Sequence, residues 1–176
     1  MKKLLSLSKV CLMALIMVAV PACTRDDDGS DGGNNGGTSG DYVDLGLPSG
    51  TKWKNANEKD PADEEYGFFT YNEAVATFGD KLPSKEQCEE LVNECTWTCR
   101  SMGYKVEGPN GKSISLPFLG WRYDVGGDGR GDVGVCWSST PDGSDSAWFL
   151  LFNIGEVIRL DNNIRSDRYS VRLVQD

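Results

Sequence analysis

The hydrophobic period of this chain changes from helical to strand-like near residue 96, and this change restricts the fold more than any other feature. Before it, four apolar side chains fall at i, i+3, i+4 and i+7, on one face of a helix: Cys88, Leu91, Val92 and Cys95. After it, short alternating runs are separated by Gly, Asn and Pro, which is typical of antiparallel strands and turns. Strands, two helices and then many strands predict an α+β fold rather than a doubly wound parallel sheet.

Local signals place the two helices. Asn72 is predicted to cap a short helix that stops at Gly79. Ser84 and Gln87 have the spacing of a capping box, which would satisfy the first free amides of the second helix.

Strands are predicted on both sides of the helices. The clearest pair flanks the turn 108–111, where Asn-Gly tolerates a positive φ and so favours a hairpin. The predicted strands cover residues 41–47, 51–53, 104–107, 113–116, 135–140, 147–153, 156–160 and 170–174.

Residues 1–22 have the layout of a lipoprotein signal peptide. A basic start is followed by an apolar run over 4–20, and Val20-Pro21-Ala22 precedes Cys23. A spanning helix needs about 20 apolar residues, and this run contains Ser6, Ser8 and Lys9. We therefore expect cleavage before Cys23 and lipidation of its thiol, which would anchor the chain to a membrane. A transmembrane anchor or a plain secreted product is the alternative.

Two regions follow the signal peptide. Residues 23–40 consist of the cysteine, an acidic cluster and a run rich in Gly, Ser, Asp and Asn, and they predict a flexible tether. Residues 41–176 are predicted to form a single domain, long enough to bury one core.

The charge balance excludes some partners. The chain has 18 basic and 27 acidic residues, and removal of three lysines with the signal leaves 15 basic residues, a net charge near −12. Such a chain repels phosphate backbones, so we expect no nucleic-acid partner.

Catalysis is not expected. The chain contains no histidine, so Ser138 and Cys136 lack an imidazole to activate them as nucleophiles. An acid pair among Asp124, Asp128 and Asp142 is the remaining enzymatic alternative, because the separation of carboxylates depends on the tertiary structure.

Four cysteines remain in the predicted domain: Cys88, Cys95, Cys99 and Cys136. They could form up to two disulfides, or serve as small buried hydrophobes. Seven helical residues separate Cys88 from Cys95 by about 10 Å, which is too far for a disulfide between these two. Their spacing does not supply the paired knuckles of a zinc site.

The segment 121–132 is the first candidate for a binding site. Its candidate residues are Trp121, Tyr123, Asp124, Asp128, Arg130 and Asp132. The aspartates could gather oxygen atoms around a calcium ion, Arg130-Gly131-Asp132 is the tripeptide that integrins recognise, and Trp121 could pack on a sugar ring. The alternative is an ordinary exposed hairpin loop, in which Asp and Gly are common. Trp53, Trp137 and Trp148 lie within strand patterns and are predicted to be buried.

Several short sequence motifs together resemble those of a known family. They are residues 42–53 (YVDLGLPSGTKW), 82–86 (LPSKE), 103–106 (GYKV), 108–111 (GPNG), 116–117 (LP), 137–140 (WSST) and 170–174 (SVRLV). These look like the Fibrobacter succinogenes major paralogous domain, and the resemblance covers nearly all of residues 41–176. It implies a C-type-lectin-like fold, two short helices packed on twisted antiparallel sheets. It implies no catalytic residues, and the chain lacks the Glu-Pro-Asn and Trp-Asn-Asp phrases of calcium-dependent lectins.

The resemblance also bears on location. Such domains are common in surface lipoproteins of the Bacteroidota, and the acidic cluster after Cys23 is similar to their export signal, although it could be a plain solvated spacer. We therefore expect a monomeric lipoprotein on the outer membrane, a non-catalytic binding module for an extracellular glycan or protein. No cofactor is expected beyond the calcium alternative. The alternative function is a structural or assembly component of the envelope without a soluble ligand.

Overall fold

A computed structural model of the protein describes residues 42–59, 67–123, 126–127 and 129–176. Within these residues the chain is α+β, with two α-helices and three small antiparallel sheets, so the predicted fold class is confirmed. The elements in chain order are β1 (Tyr42–Asp44), β2 (Lys52–Lys54), α1 (Tyr71–Phe78), α2 (Lys85–Glu94), β3 (Thr96–Arg100), β4 (Gly103–Glu107), β5 (Ser113–Pro117), β6 (Val133–Asp142), β7 (Ser146–Asn153), β8 (Ile158–Ile164) and β9 (Val174–Gln175).

Each sheet of the described residues has three strands. The first has the order β1-β2-β9 and so joins the start of the domain to its end, while the orders β3-β4-β5 and β6-β7-β8 are meanders of consecutive strands. The register of β6 on β7 shifts between Trp137 and Pro141, which marks a β-bulge. The predicted hairpin around residues 108–111 is confirmed as β4–β5.

Both helices begin at a capping box. Ser84 and Gln87 cap α2 as predicted. The prediction that Asn72 caps α1 is wrong, because the cap is Thr70, whose hydroxyl accepts from the Glu73 amide while the Glu73 carboxylate accepts from the Thr70 amide. The pair at N-cap and N3 satisfies two free amides, whereas Asn72 would satisfy one.

The core consists of two clusters. The first is mainly aliphatic and lies between α2, β4, β5 and the strands β6 and β7; Leu91, Val106 and Phe152 are completely buried in it. The second is rich in aromatic residues and is centred on Trp137, whose ring stacks on Tyr169 with centroids 4.2 Å apart. Trp53 and Trp137 are buried as predicted, but Trp148 is only partly buried, since it lies at the sheet surface under the Lys85 ammonium, 3.6 Å from the ring centroid.

One buried arginine joins the sheets. Arg172 is 1% exposed, and its guanidinium donates to Asn57 Oδ1 at 2.6 Å, to the carbonyl of Lys54 at 2.8 Å and to the carbonyl of Ser115 at 2.7 Å. Lys54 belongs to β2 and Ser115 to β5, so this side chain fixes the last segment of the chain against two sheets at once. Hydrogen bonds to several acceptors offset the cost of burying the charge.

Among the residues that the structure describes, three cysteines carry free thiols: Cys88, Cys95 and Cys136. They therefore form no bridge with one another or with Cys99, and the alternative of small buried hydrophobes describes Cys88 and Cys136. Burial raises the pKa of both thiols, so neither is a reactive thiolate near neutral pH. The pKa of Cys95 is raised to about 11 by burial and by the carboxylates of Glu90 and Glu94.

Candidate functional site

A cleft of about 540 Å³ opens beside the connection between β5 and β6, and it contains part of the predicted site. Its volume is within the range of small-molecule sites, about 300–1,000 Å³. The described residues that line it are Phe68, Leu119, Trp121, Arg122, Tyr123, Gly126, Gly127 and Arg130.

The segment 168–170 assembles the walls of this cleft. Phe69 and Tyr169 exchange backbone hydrogen bonds, with amide–carbonyl distances of 2.9 and 3.0 Å, and Arg122 and Arg168 exchange two more, both of 2.9 Å. The segment before α1 and the segment after β5 are therefore attached to the same short stretch of backbone. This shared attachment brings Phe68 beside Arg122.

Arg168 also orients the wall through its side chain. Its guanidinium donates to the carbonyl of Phe68 at 3.3 Å and to both carboxylate oxygens of Glu73, at 2.8 and 3.1 Å. Partial burial acts to raise the pKa of Glu73, but the hydrogen bonds from Thr70 and Arg168 outweigh it and hold that pKa below its usual range. Glu73 thus links the start of α1 to the wall of the cleft.

Two glycines let the backbone close around Trp121. A Cβ on Gly127 would lie 2.2 Å from the carbonyl oxygen of Trp121, and a Cβ on Gly129 would lie 2.4 Å from Cζ3 of its ring. Gly129 also has φ +83°, a conformation that favours glycine. These contacts cover one end of the indole, so Trp121 serves mainly to hold the loop against the aromatic core cluster.

Three side chains of the described lining are exposed to solvent: Arg122, Tyr123 and Arg130. Tyr123 is 46% exposed, and its ring packs edge-on against Trp121 at a centroid distance of 6.3 Å. The Arg122 guanidinium lies over the ring of Phe68, with Cζ 4.8 Å from the centroid, which is cation–π geometry. The cleft therefore combines an exposed aromatic face with an oriented cation.

The candidate residues predicted from sequence fall into three groups. Trp121, Tyr123 and Arg130 line the cleft together, whereas Asp132 is an exposed residue just before β6 and is not among the described lining residues. Asp124, Asp128 and the predicted lipidation site Cys23 lie outside the described residues. In the part of the chain that the structure describes, no group of three acidic or thiol side chains is arranged to hold a metal ion.

Sequence reasoning missed Arg122 and Phe68. Arg122 lies between two residues that the sequence had selected, but alternation along an extended segment directs neighbouring side chains to opposite sides. Phe68 belongs to a distant loop and reaches the cleft only through the pairing of Phe69 with Tyr169. No local signal marks either residue.

Comparison of the chain with models of protein families, with curated proteins and with solved structures found no significant match. Among residues 42–59, 67–123, 126–127 and 129–176, no helix has the length and apolar character that a membrane span requires.

Proposed function

We propose that this protein is a non-catalytic recognition module that binds an extracellular glycan or protein through the cleft beside Tyr123. The observation that carries the proposal is the pairing of an exposed, edge-supported tyrosine ring with a guanidinium held over Phe68. Aromatic faces and arginines are the side chains most enriched at recognition sites. The absence of histidine from the chain supports the non-catalytic part.

We propose a C-type-lectin-like fold together with this function. The phrases in residues 42–53 and 170–174 resemble the Fibrobacter succinogenes major paralogous domain, whose C-type-lectin-like fold places two helices against twisted antiparallel sheets. The first sheet supports this assignment, because β9 pairs with β2 and so joins the two ends of the domain. A lectin-like scaffold presents its loops to ligands, and the cleft is built from such a loop.

The location is proposed from the signal peptide and the tether. We propose a monomer attached to the outer membrane through a lipid on Cys23 and displayed on the cell surface by residues 24–40. Metabolic labelling with a fatty acid should mark the wild-type protein and not Cys23→Ala. Protease added to intact cells should cleave the wild-type protein. Resistance in intact cells but not in lysed cells would contradict surface display.

A binding array tests the function. Purified full-length protein in mild detergent is applied to extracellular glycans and matrix proteins, with calcium and again with a chelator. Tyr123→Ala should abolish specific binding, whereas Met102→Ala, which truncates a side chain 68% exposed at the turn between β3 and β4, should not. Binding that survives Tyr123→Ala would place the site elsewhere. The absence of any binding would favour the alternative of an envelope assembly component, and loss of binding with the chelator would favour the calcium alternative.

A further inference from the structure

The charged residues among the described lining of the cleft are two arginines, Arg122 and Arg130. This is unusual in a chain whose net charge is −9. Charges more than about 8 Å away are largely screened at physiological ionic strength. A ligand in the cleft would therefore respond to the nearby guanidinium more than to the acidic surface of the whole protein.

Arg122 differs from other arginines of the described chain in how its guanidinium is used. Protein acceptors occupy four of them. Arg159 pairs with Asp161 and Arg168 pairs with Glu73. Arg165 and the buried Arg172 donate to backbone carbonyls, and Arg172 donates also to Asn57. The Arg122 guanidinium instead lies over the ring of Phe68, with Cζ 4.8 Å from the centroid, and forms no ion pair with a described residue. This contact holds the guanidinium at the wall of the cleft and leaves its N–H groups for another acceptor.

The planar guanidinium of an arginine matches a carboxylate or a sulfate in shape. Arginine binds such anions through two parallel N–H···O bonds, and orientation in advance reduces the entropy lost on binding. Next to it, Tyr123 offers a large, rigid aromatic surface with few rotatable bonds. Gly126 and Gly127 line the same cleft and have no side chains to obstruct a ring.

We infer that the ligand is an acidic sugar, a pyranose whose carboxylate or sulfate pairs with Arg122 while its ring packs on Tyr123. This inference rests on the proposed function of the cleft and narrows its ligand class. A long, densely charged polyanion would extend beyond the cleft and be repelled by the net charge of −9 on the chain, so the recognised unit is one charged sugar within a largely neutral glycan.

Matched oligosaccharides test the inference. The full-length protein is titrated with oligosaccharides that carry a single uronic acid, with their methyl esters and with singly sulfated and neutral counterparts. The free acid or the sulfated form should bind about ten- to a hundred-fold more tightly than the uncharged form, as expected for charge-assisted hydrogen bonds. Comparison of the acid with the sulfated series identifies the anion.

Variants assign the effect to one side chain. Arg122→Gln should remove the preference for the charged form, and Arg122→Lys should restore it only in part, because an ammonium lacks the planar fork. Arg159→Gln, which removes an exposed arginine on β8, should leave the preference unchanged. Circular dichroism melts of the three variants check that folding is intact.

The failure of this inference is distinguishable from failure of the proposed function. Equal affinity for acid, sulfate and ester, or a preference that survives Arg122→Gln, would overturn the acidic-sugar inference and leave a recognition module. Tyr123-dependent binding to a matrix protein alone would overturn it in favour of a protein ligand. Binding to neither class would overturn both.

Discussion

Two tryptophans of this protein lie in contrasting surroundings. Trp137, in the aromatic core, is completely buried, its Nε1–H donates to the carbonyl of Phe69 at 2.8 Å, and its ring stacks on Tyr169. Trp121, beside the cleft, is partly buried, and its Nε1–H is shielded from solvent without a hydrogen-bond partner among the described residues. The Trp137 indole is therefore both packed and hydrogen-bonded, whereas the Trp121 indole is held by close contacts with the backbone of the loop.

The contrast separates the scaffold from the binding region. Both tryptophans lie near the segment before α1, since Trp137 binds the carbonyl of Phe69 while Trp121 and Phe68 line the cleft. The core around Trp137 gains stability from close packing and from the hydrogen bond of its indole N–H. The cleft depends on glycines that allow close approach, and it leaves Tyr123 and Arg122 open to solvent. If the cleft binds a ligand as proposed, stability and recognition depend on neighbouring but different side chains.

Truncation of the core tryptophan should have the largest effect. Trp137→Ala is expected to lower the free energy of unfolding by about 3–5 kcal/mol, because it removes a fully buried aromatic side chain. Urea denaturation measures the change. The same substitution at Trp121 should cost about 2 kcal/mol, since only part of that side chain is buried. Equal losses of unfolding free energy at the two positions would contradict the distinction between the fully buried Trp137 and the partly buried Trp121.

A pair of glycines isolates the contact that holds Trp121. Gly129→Ala and Gly131→Ala both place a Cβ at positive φ, +83° and +90°, but only at position 129 would the Cβ meet the Trp121 ring; at 131 nothing lies within 4 Å. Gly131→Ala should cost about 1–2 kcal/mol for the backbone. Gly129→Ala should cost about 1–3 kcal/mol more and should weaken ligand binding. Equal urea midpoints for the two variants would show that the Trp121 ring moves aside at little cost, and would contradict the expected difference.

Acidification tests the link between α1 and the cleft wall. Hydrogen bonds from Thr70 and Arg168 hold the folded-state pKa of Glu73 below its usual range, so these contacts stabilise the fold above the usual pKa of a glutamate and lose this effect as the pH falls through the folded-state pKa. Between about pH 5 and pH 3 the wild type should lose up to about 1 kcal/mol more stability than Glu73→Gln, as expected for an exposed ion pair. Arg168→Gln serves as the control and should flatten the same part of the pH profile. Parallel profiles for wild type and both variants would show that the pair does not stabilise the wall.

The exposed tyrosine should have the smallest effect on stability. Tyr123→Ala is expected to change the free energy of unfolding by no more than about 0.5 kcal/mol, since the ring is 46% exposed. The same variant should lose ligand binding in the array. A large loss of stability would mean that Tyr123 belongs to the core and would remove the distinction between the two regions.

Sequence patterns predicted the elements best where the signal was local. The capping box of Ser84 and Gln87 and the hairpin around 108–111 are both present as predicted. The predicted cap of α1 is Asn72, but Thr70 and Glu73 form a capping box that begins two residues earlier, so this error lay in weighing two local signals. Trp148 was expected in the core, but the outer surface of the sheet and the ammonium of Lys85 give it a partly exposed position.

The sequence by itself determined the α+β class, the apolar face of α2 and the choice of the segment after β5 as the candidate binding region. These features follow from hydrophobic period and capping, which act over a few residues. Only the tertiary structure decided that Phe68 and Arg122 complete the cleft. Their meeting depends on Phe69 pairing with Tyr169 and Arg122 pairing with Arg168, contacts between segments far apart in the chain. Backbone pairing between distant segments produces no periodic pattern in the sequence of either segment. For that reason the sequence did not predict that Arg122 supplies the cation of the candidate site.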